Sequence, residues 1–357
     1  MDPKCGKVRN EIKKVFIAGG TGFLGFHASQ LFLEKGIAVD TIALPDEIII
    51  GDWFPKSIGL RFGNLFQMSG EEIAALLKEK KYDAFVYALG PDDRVIPSAP
   101  AAAFFHDKLV VQAKKICLAA KTAGIKRCVV LNSYFSYFDR LTGGKLAKYH
   151  PYIQARIEQE EELISLGETG IFEVMILELP YIFGTMPGRK PLWREHFLAH
   201  FDGYKSILYP SQGGTAAIDV SGVAQAIVAA SFNGEPGMRY PIGQINLSFE
   251  ELINKMMESI DDPRRFRGLP GWICAIWAGN LDRKLKKRGF ESGLDHAKLM
   301  TQICNRTFYV DPDEFKIRMN YQELGFDGGK DVLESIKLTI RACYPERVGQ
   351  NLDQIQK

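Results

Sequence analysis

The sequence predicts an α/β fold: a doubly wound parallel sheet with a smaller, mostly helical C-terminal lobe. Three observations predict it. Short apolar runs alternate strictly with helical stretches from Lys14 to Leu179. The glycine-rich segment "VFIAGGTGFLG" follows the first apolar run and opens the first helix. Beyond Gly184 the alternation loosens, and from Phe249 to about Arg347 the pattern becomes mostly helical.

Taken in order, "KVFIAGG", "GIAVDTIAL", "GLRFGNL", "YDAFVYALG", "RCVVLNS" and "FEVMILELP" read as strands. Each is a brief apolar run bounded by turn residues, as expected when helices cover both faces of a parallel sheet. Between them, "FLGFHASQLFLEKG", "SGEEIAALLKEKK", "AFFHDKLVVQAKKICLAAKTAG" and "PYIQARIEQEEELISLG" carry helical periodicity and end near Gly or Lys. An irregular aromatic stretch, "TMPGRKPLWREHFLAHFDGYKSILYPSQGG", comes next. Then "DVSGVAQAIVAASF" reads as a helix and "MRYPIG" as a strand. The expected division is a first domain over 11–183 plus 215–243 and a second lobe over 184–214 plus 244–347. There is no internal repeat and no low-complexity region.

The balance of 45 basic against 43 acidic residues leaves a net charge of +2. Nucleic acid is therefore excluded as a main partner, since that partnership needs a concentrated positive face to displace counterions. Six scattered cysteines form no CxxC pair and no His/Cys cluster at ligand spacing, so reduced thiols in a cytoplasm, and no metal, are expected. The charged "MDPKCGKVRNEIKK" lacks the apolar core of a signal peptide. Nothing reaches the roughly 18 apolar residues that span a bilayer. The nearest approach is "GLPGWICAIWAGNLDRKLKKRG", where an apolar run from Leu269 to Leu281 meets the basic cluster Arg283 to Arg288. An amphipathic helix packed on its own protein is the favoured reading; peripheral contact with a membrane, or a cap on an apolar pocket, are the others.

Gly19, Gly22 and Gly25 stand at G-x-x-G-x-x-G spacing between strand and helix. Glycines there let the backbone turn tightly and approach a pyrophosphate, while the helix N-terminus offers unpaired N–H groups and partial positive charge. Further on, Tyr152 and Arg156 lie four apart in a helical segment, so both project from one face. An ordinary helix tyrosine, with Arg156 paired to Glu160 at the surface, is the plainer alternative. Position favours chemistry, because the helix follows a strand ending in "NS" and precedes "LELPYIFG".

"GGTGFLG", the "GNL" after the third strand, "YALG", "TAGIKRCVVLNS", "PYIQAR" and "LELPYIFG" occur in the order and spacing of the extended or atypical short-chain dehydrogenase/reductases. From about Lys14 to Gly243 the chain resembles that group, the NAD-dependent epimerase/dehydratase family. The resemblance implies a Rossmann-type domain that binds NAD or NADP, a small-molecule substrate held by the C-terminal lobe, and a homodimer. By it, Gly19, Thr21, Gly22, Phe23, Leu24 and Gly25 cradle the cofactor, and Asn64 and Leu65 border the adenine. Ala88, Leu89 and Gly90 line the dinucleotide path, with Pro180 and Ile182 near the nicotinamide. Ala43 stands where an acid usually binds the ribose 2′-OH; Asp46 and Glu47 follow, and no basic residue is near to take a 2′-phosphate. NAD is therefore favoured over NADP.

The same resemblance makes Tyr152 a general acid/base and puts Arg156 in the place of a lysine, where it holds ribose and lowers the tyrosine pKa. A free phenol has a pKa of about 10 and needs a cation nearby to act as a base near neutrality. Arginine supplies that charge but cannot relay a proton. Ser133 is the preferred hydroxyl for the substrate oxygen, with Ser136 as the alternative. Leu109 replaces an asparagine that serves a water-mediated proton path in relatives. Ala216 and Ala217 stand where sugar-nucleotide enzymes carry an Arg-Asp-Phe-like patch, and Trp193, Trp272 and Trp277 add apolar surface. Both favour carbonyl/alcohol interconversion on a moderately hydrophobic small molecule. A nucleotide-sugar epimerase or dehydratase, and a non-catalytic NAD(P) sensor, are the rivals.

Three weaker features complete the reading. Asp92, Asp93 and Arg94 follow the fourth strand, where a parallel sheet opens its crevice, and read as substrate contacts or a charged turn. His196 and His200, beside Glu195, lack the H-E-x-x-H order and read as solvated. The run Glu158 to Glu162 reads as a solvated face.

Overall fold

The computed structural model describes residues 11–45 and 51–347. Its largest sheet draws on β1 (Lys14–Ala18), β2 (Ala38–Ala43), β3 (Gly59–Phe62), β4 (Ala84–Tyr87), β5 (Arg127–Ser133) and β6 (Glu173–Leu179). These are the six expected strands. Next come β7 (Tyr181–Phe183), β8 (Ile207–Pro210), β9 (Gly214–Asp219) and β10 (Arg239–Pro241). The seven-stranded sheet has the order β10-β6-β5-β4-β1-β2-β3, and every neighbouring pair is parallel.

The central strands read as continuous apolar runs because both faces are covered. Val15 and Ile17 pack with the helices Phe23–Glu34 and Val220–Asn233, while Phe16 and Ala18 pack with Gly70–Lys78 and Gln112–Thr122. Ser69 caps the Gly70–Lys78 helix in a reciprocal capping box with Glu72.

Two features of this domain differ from expectation. The chain passes straight from β5 into a helix, Tyr134–Leu141, which its aromatic composition hides. Ser133 starts it by accepting the Phe135 N–H. Glu160, within the run read as a solvated face, is fully buried. It pairs with Arg140 at 2.9 Å and Arg239 at 3.0 Å, and so is not the partner of Arg156. Beside it Glu178, also fully buried, is pushed up to about 8 by burial and by the Glu160 charge.

Outside the large sheet and its helices, the chain mixes helices with small sheets. The strands β11 (Ile245–Ser248), β12 (Phe266–Leu269) and β13 (Thr307–Phe308) complete the set. A four-stranded sheet has the path β11-β9-β13 with β7 beside β9, and β12 pairs with β8. Thus β7 and β9, which the expected division assigns to the first domain, pair with each other in the second sheet. Among the described residues no helix is long and apolar enough to cross a membrane.

Candidate active site

Because the strands of the large sheet are parallel, their carboxyl ends open on one side, and the loops after β1, β4 and β6 meet there. A cavity of about 630 Å³ lies at this end, and residues of the segment from Gly184 to Phe197 line part of its wall. That volume falls in the range of small-molecule and cofactor sites.

The glycine loop forms one wall. Gly19 has φ +95°, and a Cβ there would sit 2.5 Å from the Ala88 carbonyl oxygen. A Cβ on Gly25 would collide with the Gly19 carbonyl. Only glycine allows this approach of loop, helix and β4. The helix that follows starts at Gly22 with no side-chain cap and no acid in its first turn. Its first N–H groups are therefore free to meet an anion, with the helix dipole behind them.

Opposite the loop stand Tyr152 and Arg156, both buried, from the first turns of the helix Pro151–Ser165. Arg156 Nε donates to the Tyr152 phenolic oxygen at 3.0 Å. Arg156 Nη1 donates to Gln159 Oε1 at 2.9 Å and the Leu131 carbonyl at 3.5 Å; Nη2 donates to the Pro91 carbonyl at 3.3 Å. Of the five guanidinium N–H groups, one on Nη2 is left to reach a ligand. Burial pushes the Tyr152 phenol above its ordinary range, and the adjacent guanidinium opposes that rise.

Tertiary contacts fix the tyrosine. Its N–H donates to the Gly293 carbonyl at 2.9 Å, and its ring meets Phe105 edge-on at 5.5 Å. A Cβ on Gly293 would strike the Phe105 ring and approach Tyr152 Cβ to 2.9 Å. At the N-cap of the same helix, two residues before Tyr152, His150 Nδ1 accepts the Asp295 N–H at 3.1 Å. The segment Ser292–Asp295 thus holds the start of this helix, a role its sequence does not signal. Leu109, fully buried, packs in the same apolar cluster as Phe105 and Tyr152 and fills the space beneath Gly90 with hydrocarbon.

Among the other expected residues, Gly22, Phe23, Leu24, Leu89, Gly90, Ser133, Pro180 and Ile182 line the cavity with Gly19, Gly25 and Ala88. Thr21, Asn64 and Leu65 do not. Thr21 and Leu65 are buried, and Asn64 Oδ1 accepts the Phe66 N–H in a turn after β3. Ser136 is buried away from the cavity, next to Glu160. Asp46 and Glu47 lie outside the described residues. Asp40, the acid within β2, is held by Lys14, Lys80 and Tyr82.

The substrate side combines charge with apolar surface. Asp92, Asp93 and Arg94 all line the cavity. Asp92 pairs with Arg94, and burial beside Asp92 pushes the Asp93 carboxyl up to about 6. Arg189 and Lys190 also line the cavity and are exposed; neither forms an ion pair among the described residues, and the Lys190 charge is felt at the Glu346 carboxylate. Met186, Trp193 and Phe197 supply the apolar wall, and Trp193 stacks on Phe183 at 4.5 Å. Sequence reasoning missed Met186, Arg189, Lys190 and Phe197, which lie in an irregular segment without periodicity. Ala216 and Ala217 are buried in β9 and do not border the cavity, and Trp272 and Trp277 lie elsewhere on the lobe. His196 lines the cavity, and no group that could hold a metal occurs among the described residues.

The fold is shared with solved proteins of low sequence similarity. The structure of gox2253 superposes with a TM-score of 0.70 at 15% identity, covering 94% of this chain and 99% of that one. The Bordetella bronchiseptica enzyme WbmH, solved in complex with NAD+, gives 0.63 at 17% identity, covering 94% and 99%. UDP-glucose-4-epimerase from Stenotrophomonas maltophila, solved with bound NAD and formylated UDP-arabinopyranose, gives 0.63 at 16%, covering 94% and 99%. No curated protein sequence matches the chain. Residues 15–243 match a family model, and with the glycine loop and the Tyr152 helix inside that span, the chain belongs to the NAD dependent epimerase/dehydratase family.

Proposed function

We propose that this protein is an NAD-dependent enzyme that interconverts carbonyl and alcohol on a small molecule bound between the two lobes. The observation that carries the proposal is the 3.0 Å hydrogen bond from Arg156 to the Tyr152 oxygen, buried beside the glycine loop. NAD fits the site because the cradle at Gly19 and Gly25 has no room for side chains and ends in open helix amides. When bound, it supplies the acceptor or donor of hydride.

The chain's own residues handle the proton. Tyr152 gives or takes it at the phenolic oxygen, and Arg156 holds the phenolate by charge; its remaining Nη2 N–H would hold the cofactor's ribose. Arginine stays protonated, so the exchange ends at the tyrosine. Ser133, on the cavity wall, orients the substrate oxygen, and Phe105 with Leu109 keeps water from the phenol's inner side.

For the substrate, a nucleotide sugar has more support than a purely hydrophobic carbonyl compound. Arg189 and Lys190, without an ion-pair partner on the cavity wall, suit a diphosphate, and of Trp193, Trp272 and Trp277 only Trp193 borders the cavity. Tyr152→Phe tests the whole reading. NADH binding, followed by fluorescence, should stay near wild type while turnover on a panel of ketones, alcohols and nucleotide sugars drops at least a hundredfold, roughly the worth of general acid–base catalysis. Equal loss of binding and turnover would make Tyr152 structural. A wild-type protein that binds NADH but turns over nothing in the panel would favour the sensor reading.

A further inference from the structure

The helix Gly271–Lys287 presents to solvent a face that the active site does not use. Trp272, Ile276 and Trp277 are 63%, 56% and 52% exposed, and Tyr204, 5.8 Å from the Trp277 ring, is 47% exposed. The expectation that this apolar stretch packs on its own protein holds only for its other side, where Cys274 is buried and Gly279 meets Ala297. At about 100° per residue, Trp272, Ile276, Asn280, Arg283 and Lys287 fall along one stripe, and all five are exposed. The outer face is thus aromatic and aliphatic in its first half and cationic in its second.

The acids in the helix and just beyond it are already engaged. Asp282, the helix's one acid, accepts the His296 N–H at 3.0 Å and pairs with its ring. Glu291, just beyond the helix, accepts the Ala101 N–H at 2.7 Å. Arg283, Lys284 and Lys287 have no carboxylate partner among the described residues.

We propose that this face docks onto an anionic bilayer surface, with Trp272, Ile276 and Trp277 at the headgroup–acyl boundary and the basic half on lipid phosphates. Tryptophan favours that boundary because its ring is apolar and its N–H still finds water or a headgroup. Unpaired cations on the same stripe complement the negative surface potential, and an amphipathic helix carrying both lies in the interface plane. A second copy of the chain would bring the same unpaired cations to the contact, and a nucleic acid would leave Ile276 without a role.

The test is flotation with vesicles of phosphatidylcholine mixed with phosphatidylglycerol, and of phosphatidylcholine alone. Wild-type protein should float with the mixed vesicles at low salt, with a blue shift in tryptophan emission, and should not float with phosphatidylcholine alone. Each cation near such a surface changes partition by about fivefold, so replacing Arg283, Lys284 and Lys287 together by Gln should weaken it roughly a hundredfold. Trp272→Ala with Trp277→Ala should abolish the shift and most of the binding. These side chains are exposed, so an unchanged unfolding temperature and NADH affinity establish that the variants fold. Failure of the wild type to float with mixed vesicles would overturn the proposal, as would equal flotation of all variants. A dimer that the tryptophan variants dissociate, without vesicle binding, would make the face a subunit interface. Charge-dependent binding to duplex DNA in place of vesicles would equally overturn it.

Discussion

Arg156 and Tyr152 are joined by a 3.0 Å hydrogen bond from Nε to the phenolic oxygen, and three further bonds to Gln159, Leu131 and Pro91 hold the guanidinium in place. A lysine ends in a compact ammonium on a flexible stem and cannot reproduce this set of contacts. The arginine acts here as a fixed charge anchored by the protein, with a single N–H to spare.

Arg156→Met removes the cation that opposes the burial-driven rise of the Tyr152 pKa. The limb of the pH–rate profile set by the phenol should move to higher pH, and turnover near neutrality should fall by about a hundredfold or more. Stability should also drop, by about 1–3 kcal/mol, because buried acceptors lose their donor. Arg156→Lys should keep the profile closer to wild type while losing part of the stability. Rate–pH curves and thermal unfolding measure both effects.

Gly293→Val should disturb the site from the second lobe. The added side chain must displace the Phe105 ring or the Tyr152 side chain at its Cβ. Overpacking of this kind costs about 1–3 kcal/mol. Turnover should fall further than NADH affinity does, since the glycine loop lies on the other wall. Calorimetry, steady-state kinetics and NADH titration together distinguish this from general unfolding.

Ser133 and Ser136 should separate cleanly. Ser133→Ala should lower kcat by about tenfold or more through loss of the hydroxyl at the substrate oxygen, and cost about 1 kcal/mol for the lost helix cap. Ser136→Ala should leave kcat unchanged, because its hydroxyl is buried beside Glu160 and away from the cavity. The reverse ranking in single-variant kinetics would transfer the role to Ser136.

His150 should make stability depend on acid. Burial lowers its pKa from 6.5 to about 4, as a neutral ring whose Nδ1 accepts the Asp295 N–H. With the folded value below the unfolded one, the unfolded chain takes up the proton first as pH falls. The contribution is complete above pH 6.5 and is lost as pH falls to about 4, a change on the order of 3 kcal/mol. The melting temperature should decline more steeply across that window in wild type than in His150→Asn, as differential scanning fluorimetry would record.

Six strands and the glycine loop were legible in the sequence because their signals are local. A buried parallel strand needs an apolar run, and a pyrophosphate turn needs glycines between strand and helix. Tyr152 and Arg156 were legible as a pair for the same reason, since four residues make about one helical turn. The residues Met186, Arg189, Lys190 and Phe197 were not, because an irregular segment carries no period that says which side chains turn inward.

The sequence by itself determined the alternation of strand and helix, the glycine cradle, and the presence of a phenol and a cation on one helix face. Only the tertiary structure decided that the cation is buried against the phenol, that Gly293 closes over it, that Glu160 turns into the sheet and that Trp272 and Trp277 turn out. Backbone periodicity is written in neighbouring residues. Burial and partner choice arise where distant segments compete for the same space, and that competition is settled only when the whole chain has packed.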